Sequence, residues 1–167
     1  MVQGLFAALV EALFYAPLRA IVRLLSRPRV RRVSASEVRA LRHRVLREGR
    51  PFETTIWDGD DATSTHHYLL TWAGQGLAIA SVMEAPFPEG EGPTRQLRGM
   101  AVDHAFQGQG LGATLLKEVQ RAEGQPLWCN ARERAASFYG RHAWRGVGDL
   151  FDIPPIGPHQ RMVWEPE

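Results

Sequence analysis

The sequence predicts an α/β (α+β) fold with an amphipathic helical arm in front of it, on three observations. Short β-type runs alternate with helix-type runs from residue 29 onward. Two of the β-type runs lie close enough to form a hairpin. One glycine-rich turn joins an apolar strand to the helix that follows it.

At 167 residues and 18.7 kDa the chain fits one domain, large enough to bury a core without disulfides or a structural metal. Its single cysteine, Cys129, forms no internal disulfide framework, and no Cys or His cluster has zinc spacing, so no metal is expected. A reducing, cytoplasmic setting is the natural expectation. The formal charge of +2 hides an asymmetry: eleven of the twenty basic residues lie between Arg19 and Arg50, where Glu37 and Glu48 are the only acids. A solvated helix face accounts for such a stretch as readily as an anionic partner does, and no nucleic acid is expected.

From Val2 to Leu25 the chain is largely apolar, but Glu11, Pro17, Arg19 and Arg23 interrupt it. No run reaches the roughly 20 apolar residues that span a bilayer. A cleaved signal fits poorly, because the first basic residue follows the apolar region. Leu5, Leu9 and Leu13, with Phe6, Val10 and Phe14, recur at helical spacing, and Leu18, Ile21, Val22 and Leu25 continue opposite Arg19 and Arg23. Residues 1–28 therefore read as an arm and connector. Such an arm can pack on its own domain, pair with a second subunit in a homodimer, or lie on a membrane surface.

The globular domain is placed at residues 29–167, beginning with a strand at Arg29–Val33. Ser34 and Glu37 have capping-box spacing, which predicts a helix from Ala35 to about Arg47, ended by Gly49. Pro51–Ser64 is a polar loop whose Asp58, Asp60 and Asp61 lack the EF-hand pattern. Strands follow at His66–Trp72 and Leu77–Ala85, joined through Ala73–Gly76, with a second loop at Pro86–Pro93. Then come a strand at Gln96–Val102, a helix at Gly110–Ala122, a strand at Leu127–Ala131 and a helix at Arg134–His142. The last strands are expected near Trp144–Phe151 and Gln160–Trp164, around a Pro154–Pro158 loop.

The decisive segment runs from Met100 to Ala113. Glycines let a backbone approach a ligand closely and turn successive N–H groups outward, and the new helix adds the positive end of its dipole, so the chemistry is anion binding. Gly108, Gly110 and Ala113 also satisfy the bare dinucleotide fingerprint, but Asp103–Gln107 intervene after the strand and no second βαβ unit follows. The Gly-Lys-Ser/Thr ending of a P-loop is absent. A tight turn without any ligand is the plain structural alternative.

Gln107-Gly108-Gln109-Gly110-Leu111-Gly112 resembles the Gln/Arg-x-x-Gly-x-Gly/Ala signature of GNAT acyltransferases, in its usual place after an apolar strand. Ala135-Ala136-Ser137-Phe138-Tyr139, followed by Trp144–Gly148, is similar to that family's later helix and strand, with Ala143-Trp144 where Gly-Phe is usual. The resemblance is strong from Thr94 to Val163, weaker from Arg29 to Pro93 and absent before that. The ending Phe151–His159 resembles a subgroup of little-characterised bacterial members.

That resemblance implies a GNAT fold, with a single mixed sheet splayed between the Gln96–Val102 and Leu127–Ala131 strands and acetyl-CoA as co-substrate in the opening. Met100, Ala101 and Val102 would meet the acyl carbonyl and the pantetheine. Gln107, Gly108 and the amides of Gln109, Gly110, Leu111, Gly112 and Ala113 would cradle the pyrophosphate. Asn130 would bond the pantetheine, or simply end a strand. Tyr139 would protonate the departing thiolate, its other open role being that of a core aromatic beside Phe138. An acceptor amine also needs a base, and Glu84, His66, His67 and His159 are the candidates. The implied activity is transfer of an acetyl group to an amine by direct attack. A non-catalytic acyl-CoA-binding module and a peripheral membrane acyltransferase with a lipid-like substrate are the alternatives.

Overall fold

The computed structural model describes Glu11 and residues 15–166. Apart from Glu11, the part of the expected arm before Tyr15 lies outside the described residues. Within the arm, helix α1 covers Ala16–Leu25, with Pro17 in its first turn, where a missing N–H costs no hydrogen bond. Its contact with the domain runs through Arg23, which donates to Gln75 Oε1 at 2.6 Å and lies 4.4 Å over the Phe106 ring.

Strand β1 is Arg29–Val33. Helix α2, Ala35–Leu46, starts on the expected capping box between Ser34 and Glu37. A short 3-10 turn at Phe52–Thr55 interrupts the loop before β2, His66–Trp72, and β3, Gln75–Glu84. The hairpin between β2 and β3 is tighter than its sequence suggests. Ala73 and Gly74, at φ 49° and 74°, close it as a two-residue turn with both central φ angles positive. Then follow β4 (Arg95–Val102), a 3-10 turn (His104–Phe106), α3 (Leu111–Glu123), β5 (Leu127–Arg132), α4 (Glu133–Gly140), β6 (Arg145–Ile153) and β7 (Gly157–Trp164).

The strands form one mixed sheet in the order β1-β2-β3-β4-β5-β7-β6. Every neighbouring pair is antiparallel except β4 and β5, which run parallel and register only at Gln96 opposite Trp128. Beyond that point the two strands part. The sheet is therefore splayed where the resemblance implies it.

Strand alternation sorts the core onto two faces. Leu69, Ile79 and Ala101 meet Val38 and Leu41 of α2 on one face. Leu70, Ala78, Ala80, Val82 and Leu97 meet α3 on the other, through Leu111, Leu115, Leu116 and Val119, spaced as one helical stripe. Helix α4 covers β5–β7 on that second face.

One irregularity in β4 matters for the site. Ile79 pairs with Ala101 and Ser81 with Arg98, so Ala80 alone opposes both Gly99 and Met100. Gly99 is the extra residue of a β-bulge, at φ 63°. In a regular strand Arg98 and Met100 would share a face. The bulge sends Met100 to the α4 side and leaves Arg98 on the α2 side, beside Trp57.

Candidate active site

The splay opens a cavity of about 1000 Å³ between β4 and β5. One end is the turn into α3. Gly108 and Gly110 both sit at φ 77°, and Gly110 is the N-cap of α3 with no side chain to cap the helix. The first helical bond is Thr114 N to Gly110 O at 3.0 Å. The six preceding amides, Gly108 to Ala113, have no acceptor among the described residues. Six donors in succession, at the positive end of a helix dipole, form a cradle for an anion as large as a diphosphate.

The loop that presents them is fixed from behind. Asp103 accepts from the Ala105 amide at 3.1 Å and pairs with Arg44 at 2.7 Å. Gln107 Nε2 donates to Val102 O at 3.1 Å. Of the sequence-predicted residues, Met100, Ala101, Val102, Gln107, Gly108 and Gly110 line the cavity. So do Leu111, Gly112, Ala113, Asn130 and Tyr139. Gln109 does not line it and contributes to the turn only as backbone between the two left-handed glycines.

Tyr139 lies on α4, deeper in the cavity and largely buried. Its hydroxyl points at Met100 Sδ, 3.7 Å away, and Trp144 and Phe138 hold its ring edge-on, at centroid distances of 5.3 Å each. Burial, with Cys129 beside it, holds its pKa well above the ordinary tyrosine value, so the hydroxyl keeps its proton. Burial also pushes the Cys129 thiol up, which leaves it a poor nucleophile. Ala143 stands where the resembling family has glycine and adopts φ 64°, a left-handed position closing α4, with Trp144 N bonded to Tyr139 O at 3.2 Å.

The opposite wall belongs to the α2 face. Trp57 stacks there between guanidinium groups, with Arg42 at 3.7 Å and Arg98 at 4.6 Å from its ring centroid. A Cβ on Gly99 would sit 2.5 Å from Trp57 Cζ3, so the ring rests directly on the bulge. The loop carrying Trp57 is pinned by a buried network: Arg42 donates to Asp60 at 2.5 Å and to the Thr55 carbonyl at 2.6 Å. His67 bridges Ser81 Oγ and the Asp60 carbonyl, each at 2.8 Å. Burial raises the Asp60 pKa, but bonds from Arg42 and the Trp57 amide outweigh it, and the carboxyl ends below its ordinary value.

Cys129 and Ala131 point into the α3/α4 core, so alternation puts Asn130 and Arg132 on the α2 face of β5. The Asn130 Oδ1 is buried with no partner among the described residues, which leaves it free for an amide-bearing chain in the opening. His159 faces Arg132 across the β5–β7 ladder, and its Nδ1 bonds to the Gly157 carbonyl at 2.7 Å. A carbonyl only accepts, so Nδ1 is the N–H, which in the neutral ring leaves Nε2 as the acceptor.

Of the four candidate bases only His159 reaches the cavity. His67 is spent in the Arg42 network. His66 bonds at 2.7 Å to Glu123, a buried carboxylate that also holds Tyr68 and Arg95 at the far end of α3. Glu84 closes β3 away from the opening. The aspartates of the 51–64 loop form no ligand cluster, and among the described residues no group of three metal-ligating side chains converges. Sequence reasoning passed over Trp57, Arg47, Arg98 and Arg132, whose convergence depends on the bulge and the splay.

Comparison with known proteins bears on the same features. The family model described as "Acetyltransferase (GNAT) domain" matches residues 64–145. A curated relative, the "Uncharacterized N-acetyltransferase YitI" of Bacillus subtilis (strain 168), is 33% identical over 135 residues, covering 78% of this chain and 91% of its own. Among solved structures, Escherichia coli ElaA superposes with a TM-score of 0.67 at 17% identity, over 83% of this chain and 100% of its own. An acyl-CoA N-acyltransferase from Pseudomonas aeruginosa gives 0.63 at 20% identity, over 83% and 99%. At such identities the two structures speak for the fold alone.

Proposed function

The chain belongs to the GNAT acetyltransferase family, and on that premise we propose that it moves an acetyl group from acetyl-CoA to an acceptor amine by direct attack. Family membership already makes it an acyltransferase from acyl-CoA to an amine. The observation that carries the finer reading is the run of unpartnered amides at Gly108–Ala113, set at the mouth of the opening that leads to Tyr139.

In this reading the amides hold the pyrophosphate and the orphaned Asn130 Oδ1 accepts from a pantetheine amide. The thioester carbonyl then lies against β4, where an N–H beside Met100 stabilises the oxyanion. The amine nitrogen bonds to the carbonyl carbon, and the carbon–sulfur bond breaks. Tyr139 gives its hydroxyl proton to the departing thiolate, while His159 Nε2, directly or through water, takes the proton that the amine loses. The products are an amide and free CoA thiol, and the proton gained by His159 returns through solvent to the Tyr139 oxygen, which restores both groups.

Tyr139 favours an enzyme over a non-catalytic module that only binds acyl-CoA, since such a module needs no acid beside the thioester. We divide the chain into an arm at residues 1–28 and a catalytic domain at 29–167, and place it in the cytoplasm. The arm helix exposes Leu24 and Leu25, at 87% and 84%, which suits contact with a second subunit or a membrane surface. No helix among the described residues is long and apolar enough to cross a membrane. The test of the activity is thiol release from acetyl-CoA against a panel of amines. Turnover of one class supports an enzyme, whereas CoA binding without any turnover favours the binding module. Liposome flotation with and without residues 1–27 tests the arm, and equal behaviour of the two forms removes the membrane role.

A further inference from the structure

Among the described residues, the cavity is lined by five arginines and by no aspartate or glutamate. Two of them, Arg134 and Arg141, begin and follow α4. The other three, Arg47, Arg98 and Arg132, come from the end of α2, from β4 and from β5, and converge on the α2 face beside Trp57. Resting on the acyl-transfer reading above, we propose that the acceptor is an amine bearing an anionic group, carboxylate or phosphate, which docks against Arg47, Arg98 and Arg132.

The contrast with neighbouring arginines carries the inference. Arg42 and Arg44, on the same helix, are each neutralised by a carboxylate, Asp60 and Asp103, at 2.5 and 2.7 Å. Those two do the structural work of fixing the Trp57 loop and the diphosphate turn. Arg47, Arg98 and Arg132 have no carboxylate partner among the described residues. Arg98 donates only to Met83 Sδ, at 3.2 Å, and Arg47 only to the carbonyls of Thr54 and Leu46. Arg132 makes no side-chain hydrogen bond or ion pair among the described residues. Asp60 and then Asp58 are the loop acids whose charge Arg98 feels, but neither forms an ion pair with it, Asp60 being taken by Arg42.

Gathering these charges is unfavourable without an anion. Burial and then neighbouring arginines lower the pKa of all three, and Arg132 is among the charges felt by Arg47. A carboxylate or phosphate relieves that repulsion and fits a guanidinium fork by two parallel hydrogen bonds. The diphosphate of CoA is held elsewhere, by the amides at the far end of the cavity, so these forks face the space from which an amine must approach. His159 borders the same space, paired across the ladder with Arg132. An acceptor anchored there by its anion presents its nitrogen between His159 and the opening toward Tyr139. Trp57 lines the same space.

The full chain, saturated with acetyl-CoA, is assayed by thiol release on matched sets: α- and ω-amino carboxylates, their amides, and the corresponding aminophosphonates. We expect turnover to be confined to the charged members, with the carboxylate and phosphonate arms showing which anion fits. Arg98→Gln and Arg47→Gln should each raise KM for the preferred acceptor by about 10-fold or more, as loss of a charge-assisted hydrogen bond does. Their calorimetric Kd for CoA should stay within about twofold of the parent, which also reports that they fold. Neutral amides used as well as the acids, no anionic amine used by protein that binds CoA, or an unchanged KM in both variants would each overturn the proposal. Parent protein that binds no CoA would instead overturn the acyl-transfer reading itself.

Discussion

The two ends of the cavity are built in different ways. The proposed donor end is backbone: six adjacent amides, two left-handed glycines and a helix dipole, all within residues 108–113. The proposed acceptor end is side chains, Arg47, Trp57, Arg98, Arg132 and His159, drawn from five separate segments. A shared co-substrate calls for a fixed cradle, and a contiguous peptide supplies one whatever side chains surround it. An acceptor that differs between relatives calls for replaceable side chains on loops and strand ends.

The sharpest break between the ends comes from Tyr139→Phe. Removing the acid should lower kcat by about 10² to 10⁴-fold, leaving CoA affinity and acceptor KM close to the parent values in steady-state and calorimetric titrations. In the parent, kcat should not fall as pH rises through about 10, where an ordinary tyrosine ionises, because burial holds this proton.

Next in size is Arg42→Met, which leaves the Asp60 carboxylate, itself only 3% exposed, without its buried partner. Chemical denaturation should show a loss of about 3 kcal/mol or more. Asp60 has a depressed pKa in the folded state, so its contribution is present above the unfolded value near about 4 and is lost as pH falls through the folded one. Asp60→Asn should therefore flatten the acid limb of the stability curve below about pH 4.

Gly110→Asp separates the ends from the other direction, setting a carboxylate against the diphosphate. CoA binding should weaken by about 100-fold, while unfolding in the absence of CoA should show a loss of only about 1 kcal/mol, the cost of a side chain at a left-handed φ where a Cβ meets nothing within 4 Å. The smallest effect belongs to Ala143→Gly. Relieving a left-handed alanine should raise stability by about 1 kcal/mol without touching either substrate.

The same division decides what can be read from the sequence. The strand Arg29–Val33 and the capped start of α2 at Ser34 are fixed by neighbours in the chain, and the structure has them where expected. The glycine-rich turn is equally local. The bulge at Gly99 is not, because a glycine within an apolar strand reads as one weak position until its partner strand supplies the register. Trp57 sits in a segment whose composition says only loop, and its place depends on Arg42, Asp60 and Gly99 at once. Arg47, Arg98 and Arg132 were hidden by abundance, in a chain whose only lysine is Lys117 and whose other cations are all arginine. The four-residue turn expected at Ala73–Gly76 closes instead on Ala73 and Gly74, since alanine is an uncommon occupant of a left-handed turn position.

The central claim is that the amides at the start of α3 grip the diphosphate of CoA. Amide chemical shifts of nitrogen-15-labelled protein titrated with CoA measure this directly. The largest changes should fall on Gly108, Gln109, Gly110, Leu111, Gly112 and Ala113, with slowed hydrogen exchange at the same positions. CoA binding that leaves those six resonances unmoved would contradict the account.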